Sequence, residues 1–375
     1  MNLQMVDLIG QYKKIKNELD DAIIQTVESS AYINGPQVAQ FAKNLEKYLN
    51  VAHVIPCANG TDALQIALMA LDLKQGDEVI VPAFTYVATA EVIALLGLTP
   101  IMVDVDPNTY NLTAELFEAA ITARTKAVVP VHLFGQSADM EPIMKIAAEK
   151  GIFVVEDNAQ AIGANYHFSD GSTQKAGTIG DIGTTSFFPA KNLGCFGDGG
   201  AIFTNNDSLA EKLRIIANHG QTERYYHGLI GVNSRLDSIQ AAILDVKLKY
   251  LDDYATSRNI AAAHYDEAFK NIENIQIPVR DNNSTHVFHQ YTMRITGNKR
   301  EALRKYLSDH NIPHNVYYPV PLYEQEAFAH LAGAVNFLPV TDLLCKEVIS
   351  LPIHTEMNDE ILTVISNTVK DFFKS

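Results

Sequence analysis

A chain of 375 residues with 47% hydrophobic content can bury a large core, and its length suits two domains or one large α/β domain with an appendage. A formal net charge of −15 opposes nonspecific binding to nucleic acid and to anionic membranes, although an acidic protein can still carry a local basic pocket for an anionic substrate. Three cysteines, Cys57, Cys195 and Cys345, are too few and too scattered for a disulfide framework or a zinc cluster, and they fit a reducing compartment.

At the start of the chain, Met1-Asn2-Leu3-Gln4-Met5-Val6-Asp7 lacks the basic, apolar, then small-residue order of a signal peptide, and no later apolar run reaches membrane-spanning length. A cytoplasmic protein is expected. The next feature is Cys57-Ala58-Asn59-Gly60-Thr61-Asp62-Ala63-Leu64-Gln65, with Leu64, Ala67, Leu68 and Leu71 at helical spacing. Asn59-Gly60-Thr61 therefore stands where a helix begins, and its free amides and hydroxyl suit a phosphate. Taken alone, the same three residues read as ordinary helix capping. No lysine follows in the nucleotide-hydrolase pattern and no Gly-x-Gly-x-x-Gly follows an early strand, so ATP hydrolysis and dinucleotide binding lose support.

From residue 78 onward, short runs rich in valine and isoleucine (78–81, 101–105, 127–131 and 152–155) alternate with helix-like stretches (89–96, 113–121 and 140–150). Strands buried on both faces and covered by helices imply a largely parallel sheet. Asp157 follows the last of these runs, at the sheet edge where open α/β folds place ligand groups. It could pair with a protonated pyridine nitrogen, or simply cap a helix starting near Ala159. Residues 169–175 read as a polar surface loop.

Lys191 ends Ser186-Phe187-Phe188-Pro189-Ala190-Lys191 and precedes the glycine-rich Gly194-Cys195-Phe196-Gly197-Asp198-Gly199-Gly200. A lysine held at an apolar strand end is desolvated, which favours its neutral amine and suits it to Schiff-base chemistry. Together, an anion-binding helix start, a ring-pairing carboxylate and such a lysine point to pyridoxal phosphate. Beyond residue 235 the pattern changes. Leu236, Ile239, Ile243 and Val246 recur at helical spacing, and the helical signal runs on toward Phe269. Then come an alternating strand (Tyr291, Met293, Ile295), a helix over 299–310 and a terminal helix through Ile361, Leu362, Ile365, Val369 and Phe372. The expected division is a large cofactor-binding domain over 1–240 and a small α+β domain over 241–375. The pairs His286/His289 and His310/His314 lack a partner arrangement typical of metal sites and read as surface or packing residues.

Five ordered motifs carry a family resemblance: Asn59 to Leu64, Glu156 to Gln160, Ser186 to Gly194, Gly197 to Gly200 and Asn233-Ser234-Arg235-Leu236-Asp237. Over nearly its full length the chain resembles the DegT/DnrJ/StrS sugar-nucleotide aminotransferases. The resemblance implies the fold-type I, aspartate aminotransferase-like architecture: a large domain with a mostly parallel seven-stranded sheet plus a small C-terminal domain. It also implies a pyridoxal phosphate enzyme that cycles through the pyridoxamine form.

Residue by residue, the resemblance makes Lys191 the Schiff-base lysine and general acid/base, with Asp157 on the pyridine nitrogen and Gln160 on the ring oxygen. It places Gly60, Thr61 and Ser186 on the phosphate and Tyr86, otherwise read as a core aromatic, against the ring. Asn233 would reach the phosphate in a neighbouring subunit, so a homodimer with shared active sites is expected. Arg235 would hold a carboxylate or, equally, form an interface ion pair. Tyr317 and Tyr318 would contact substrate, Tyr317 standing where many relatives have histidine, so that it keeps a hydrogen-bonding tip without a charge near neutral pH.

Asn233 to Asp237 is similar to family members that aminate carbon 3 of a nucleotide sugar. Cys57 to Leu64, His132 to Gly135 and His219 to Gln221 extend that similarity to those acting on UDP-2-acetamido-2-deoxy-3-oxo-glucuronate, with L-glutamate as donor and 2-oxoglutarate as product, in bacterial surface polysaccharide synthesis. The alternatives are a C-3 or C-4 aminotransferase of another UDP- or dTDP-linked keto sugar, and a pyridoxal phosphate-binding regulatory protein without catalysis. A dehydratase on this fold would replace the lysine by histidine, which Lys191 opposes.

Overall fold

The computed structural model describes residues 3–329 and 337–374. Three helices, Leu8–Lys14, Lys16–Ser29 and Pro36–Leu49, precede the first strand. The third starts on Pro36, whose missing N–H costs nothing in a first turn, and stops at Asn50, which adopts a left-handed conformation (φ 54°). It buries Phe41, Leu45 and Leu49, one side chain per turn.

Nine strands follow: β1 (His53–Cys57), β2 (Glu78–Pro82), β3 (Thr99–Val103), β4 (Thr125–Val128), β5 (Phe153–Asp157), β6 (Asn165–His167), β7 (Thr173–Lys175), β8 (Ile182–Ser186) and β9 (Gly200–Thr204). Seven make one sheet in the order β1-β9-β8-β5-β4-β2-β3. The pairings β2–β3, β2–β4, β4–β5 and β5–β8 are parallel, whereas β8–β9 and β9–β1 are antiparallel. This is the mostly parallel seven-stranded sheet expected of fold-type I. Residues 169–175 are not a plain loop: β6 and β7 pair into a separate hairpin. Val79, Val81, Ala127, Val155, Ile182 and Ile202 face one core layer, which also takes Ala63, Ile66 and Ala67 of the helix Gly60–Ala70.

Beyond β9 lie a small exposed hairpin, β10 (Gln221–Glu223) and β11 (Tyr226–His227), and the helix Ser238–Leu248, which packs Leu244 and Leu248 against Phe41 and Leu45. The long helix Leu251–Phe269 leads to a second sheet of β12 (Ile275–Gln276), β13 (Tyr291–Ile295) and β14 (Val348–Leu351), all antiparallel. Alternation was expected for β13, but all five of its residues are buried. Its polar positions are satisfied across the sheet: the Arg294 guanidinium meets Glu347 at 2.7 Å, and the Thr292 and Ser350 hydroxyls lie 2.8 Å apart. Among the described residues, no helix is long and apolar enough to cross a membrane.

Candidate active site

Parallel pairing of β5 with β8 brings Asp157 and Ser186, the last residues of their strands, to one edge of the sheet. Behind that edge Glu156 is fully buried. Its carboxylate accepts from His132 Nε2 (2.7 Å) and from the backbone N–H groups of Gly177 (2.8 Å), Ile179 (2.6 Å) and Gly180 (2.6 Å). Because His132 Nδ1 accepts the Ala138 N–H (3.1 Å), Nε2 carries the ring proton. Four donors offset the burial of the carboxylate and fix the strand that presents Asp157.

After β8, residues 187–199 form a loop pinned at its base, with Phe187 N–H donating to Gly199 O (2.7 Å) and Cys195 N–H to Phe187 O (2.9 Å). Lys191 stands in this loop and lines a cavity of about 890 Å³. Burial lowers its pKa from 10.5 to about 8, against the opposing pull of the Asp157 carboxylate. A substantial neutral fraction near neutral pH is what a nucleophilic amine requires.

Asp157 is 6% exposed. Its Oδ2 accepts the Thr89 hydroxyl (2.8 Å) and its Oδ1 the Ala159 N–H (3.1 Å), yet residues 159–163 are turns, so the carboxylate caps no helix. Asn59 does cap one. Its side chain accepts the Asp62 N–H at 2.8 Å and its carbonyl the Ala63 N–H at 3.1 Å. The remaining first-turn donors, on Gly60 and Thr61, lie on the cavity wall beside Ser186. Capping and anion cradle are thus two parts of one helix start.

Gln160 bridges the wall, accepting the Phe134 N–H on Oε1 (2.8 Å) and donating from Nε2 to the Tyr318 hydroxyl (3.1 Å), which leaves one amide hydrogen for a ligand. Tyr86 is 57% exposed and lies 6.3 Å, ring to ring, from Tyr318, so it is a rim aromatic and not a core one. The Tyr317 hydroxyl accepts from Asn315 Nδ2 at 2.8 Å, and burial raises its pKa, keeping it a neutral tip.

Gly60, Thr61, Tyr86, Asp157, Gln160, Ser186, Lys191, Tyr317 and Tyr318 therefore share one cavity; Asn233 and Arg235 do not line it. Asn233 is exposed and bridges to Asn218 through the backbone, and Arg235 forms no ion pair among the described residues. The wall also holds Thr85, which sequence reasoning passed over, and His289, which the sequence reading took for a surface or packing residue. Thr85 Oγ1 and His289 Nδ1 are buried without a protein partner, a condition costing about 1–3 kcal/mol per group. Nothing local in the sequence marks His289, because its place follows from the pairing of 287–290 with 134–135.

The cavity fits pyridoxal phosphate. It offers an amine with a lowered pKa for the aldehyde, a buried carboxylate for the ring nitrogen, and a helix start for the phosphate. At Gly60 an added Cβ would come within 2.7 Å of Ser186 Cβ, so the cradle closes only around glycine.

Comparison with known proteins bears on the same site. The profile of the DegT/DnrJ/EryC1/StrS aminotransferase family matches residues 13–370. The UDP-2-acetamido-2-deoxy-3-oxo-D-glucuronate aminotransferase of Pseudomonas aeruginosa is 45% identical, over 97% of this chain and 98% of its own. The crystal structure of a DegT DnrJ EryC1 StrS aminotransferase from Brucella abortus is similar with a TM-score of 0.94 and 41% identity, covering 100% of both chains. That of NtdA from Bacillus subtilis, with bound cofactor PMP, has a TM-score of 0.89 at 31% identity and covers 96% of this chain and 82% of its own.

Proposed function

The chain belongs to the DegT/DnrJ/EryC1/StrS aminotransferase family, and on that premise we propose that it transfers the amino group of L-glutamate to carbon 3 of UDP-2-acetamido-2-deoxy-3-oxo-glucuronate. It is a pyridoxal phosphate-dependent sugar-nucleotide aminotransferase. When bound, the cofactor supplies an electron-poor ring that takes up the electron pair left when a carbon beside nitrogen loses its proton. The rest is the work of the chain.

Lys191 Nζ would hold the cofactor's aldehyde carbon and, as a free amine, would take the proton from the donor's carbon and deliver one to the sugar carbon. Asp157, held by Thr89 and Ala159, keeps the ring nitrogen protonated. The Gly60 and Thr61 amides and Ser186 hold the phosphate, Gln160 the ring oxygen, and Tyr86 covers the ring. Tyr317 and Tyr318 orient the sugar. Asn233 and Arg235, away from their own chain's cavity, serve the site of a second subunit in a homodimer, Asn233 at the phosphate and Arg235 at a carboxylate. The product feeds surface polysaccharide synthesis from the cytoplasm.

One observation carries the reading: the low-pKa amine of Lys191 and the buried carboxylate of Asp157 open on one cavity with a helix start. Borohydride reduction should leave the phosphopyridoxyl mass on the Lys191 peptide. Mass spectrometry of products from a panel of UDP- and dTDP-linked 3-keto and 4-keto sugars with glutamate should show amination of the UDP-linked 3-keto uronate. Amination of a 4-keto sugar alone would overturn the regiochemistry.

A further inference from the structure

Lys247 is a buried lysine with no part in the chemistry assigned to Lys191. It is 2% exposed, and burial lowers its pKa from 10.5 to about 8, yet it lines no part of the cavity. Its Nζ donates to Gly194 O at 2.5 Å and stands 5.6 Å from the centre of the Phe196 ring. Among the described residues no carboxylate pairs with it. An apolar side chain would fill the same space without the cost of desolvating an amine, so packing alone does not account for it.

Both groups that Lys247 meets belong to the loop that carries Lys191. Within that loop the Lys191 N–H donates to Phe188 O (2.8 Å), and Gly194 folds back on Pro189 so tightly that a Cβ on Gly194 would come within 2.3 Å of Pro189 O. Residues 188–194 are therefore one closed turn with Lys191 inside it, and the carbonyl that ends the turn is the one Lys247 holds. Two turns earlier on the same helix, Ser238–Leu248, Gln240 accepts the Phe196 N–H on Oε1 (2.8 Å) and donates from Nε2 to Phe196 O (3.4 Å). Seven residues apart, Gln240 and Lys247 share one helix face, so a single rigid element grips the loop at Gly194 and at Phe196. Asn192 Nδ2 ties the turn to Val287 O as well (2.9 Å).

We infer that Lys247 is a positioning residue for Lys191: through Gly194 O it fixes the turn from which the lysine amine reaches the cofactor. The phosphate and ring contacts stand on other elements, with Gly60 and Thr61 on the helix Gly60–Ala70, Ser186 on β8 and Asp157 on β5. Loosening the turn should impair the bond to Lys191 and spare those contacts. The inference rests on Lys191 being the cofactor-bearing lysine, which borohydride trapping of the wild-type protein tests separately.

Two ligands separate the contributions. Pyridoxal phosphate can condense with the Lys191 amine, losing water, whereas pyridoxamine phosphate has no aldehyde and uses the noncovalent contacts alone. Equilibrium dialysis of the full-length, cofactor-free chain measures the affinity for each in wild type and in Lys247→Met, which keeps the length of the side chain and loses the donor. In Lys247→Met the affinity for pyridoxal phosphate should fall at least about tenfold, while that for pyridoxamine phosphate stays within about twofold of wild type. Should the methionine variant not fold, Gln240→Leu, which frees the same loop at Phe196, replaces it, with the same selective loss expected at about threefold or more. A general weakening of the site would lower both affinities together. That result, or no change in either, would overturn the assignment and leave Lys247 a residue of the core alone.

Discussion

A buried lysine that loses its proton more readily in the fold than in the unfolded chain destabilises the fold wherever the unfolded chain holds that proton. With Lys191 at about 8 in the fold against 10.5, the unfolded chain binds more protons between those values, so stability rises with pH across that window. Below the folded pKa the penalty is present in full, at most about 3 kcal/mol. Lys191→Met, similar in length and uncharged, should therefore stabilise the cofactor-free chain at pH 7 by up to about 3 kcal/mol, while the gain shrinks toward pH 10.5. Denaturant melts of both proteins at several pH values check this, and a pH-independent difference would mean that the amine is not desolvated. The strand before Lys191, β8, is small and polar and ends at Ser186, so that Lys191 stands in the loop and not at a strand end. It was legible because the glycine-rich turn after it closes the same loop, and Asp157 because it ends the apolar strand β5. His289 was not, since a contact between segments some 150 residues apart leaves no local trace.

Elements buried on both faces announce themselves by composition, and the valine- and isoleucine-rich runs became β2 to β5 with ends displaced by a few residues. β8 and β9 were harder to see. Ile182-Gly183-Thr184-Thr185-Ser186 and Gly200-Ala201-Ile202-Phe203-Thr204 carry small or polar residues because other backbone crowds them: a Cβ on Gly183 would meet Gly177 O at 1.7 Å. Gly60 poses the same conflict at the helix start. Helix propensity favours alanine there by up to about 1 kcal/mol, but the 2.7 Å approach to Ser186 Cβ invokes an overpacking cost of about 1–3 kcal/mol. Strain should win, and it falls between the two elements that face the phosphate. Gly60→Ala is expected to stay folded yet bind pyridoxal phosphate at least about tenfold more weakly, which equals a loss of 1.4 kcal/mol. Absorbance titration of the cofactor-free protein measures it, and affinity within about twofold of wild type would show the helix start sliding aside without harm.

At the scale of the whole molecule, the two residues left outside the cavity become informative. Asn233 and Arg235 lie in one of the five motifs, yet among the described residues of their own chain Asn233 has only a backbone bridge and Arg235 has no ion-pair partner. Residues of a ligand-binding motif that reach no ligand in their own chain are accounted for if they serve a second copy, with two-fold symmetry then generating two equivalent composite sites. That arrangement has a consequence that no single-chain site shares. Lys191→Ala removes the amine from the chain that carries it, whereas Asn233→Asp sets a negative charge against the phosphate in the other chain's site. Each homodimer should be nearly inactive. When the two variants are unfolded together in equal amounts and refolded with cofactor, half of the dimers become mixed, and in each mixed dimer one site carries both defects while the other carries neither. Activity should return to roughly a quarter of wild type, the share of intact sites that random pairing gives. If both residues belonged to one chain's site, every site in the mixture would keep exactly one defect, and refolding together would restore nothing.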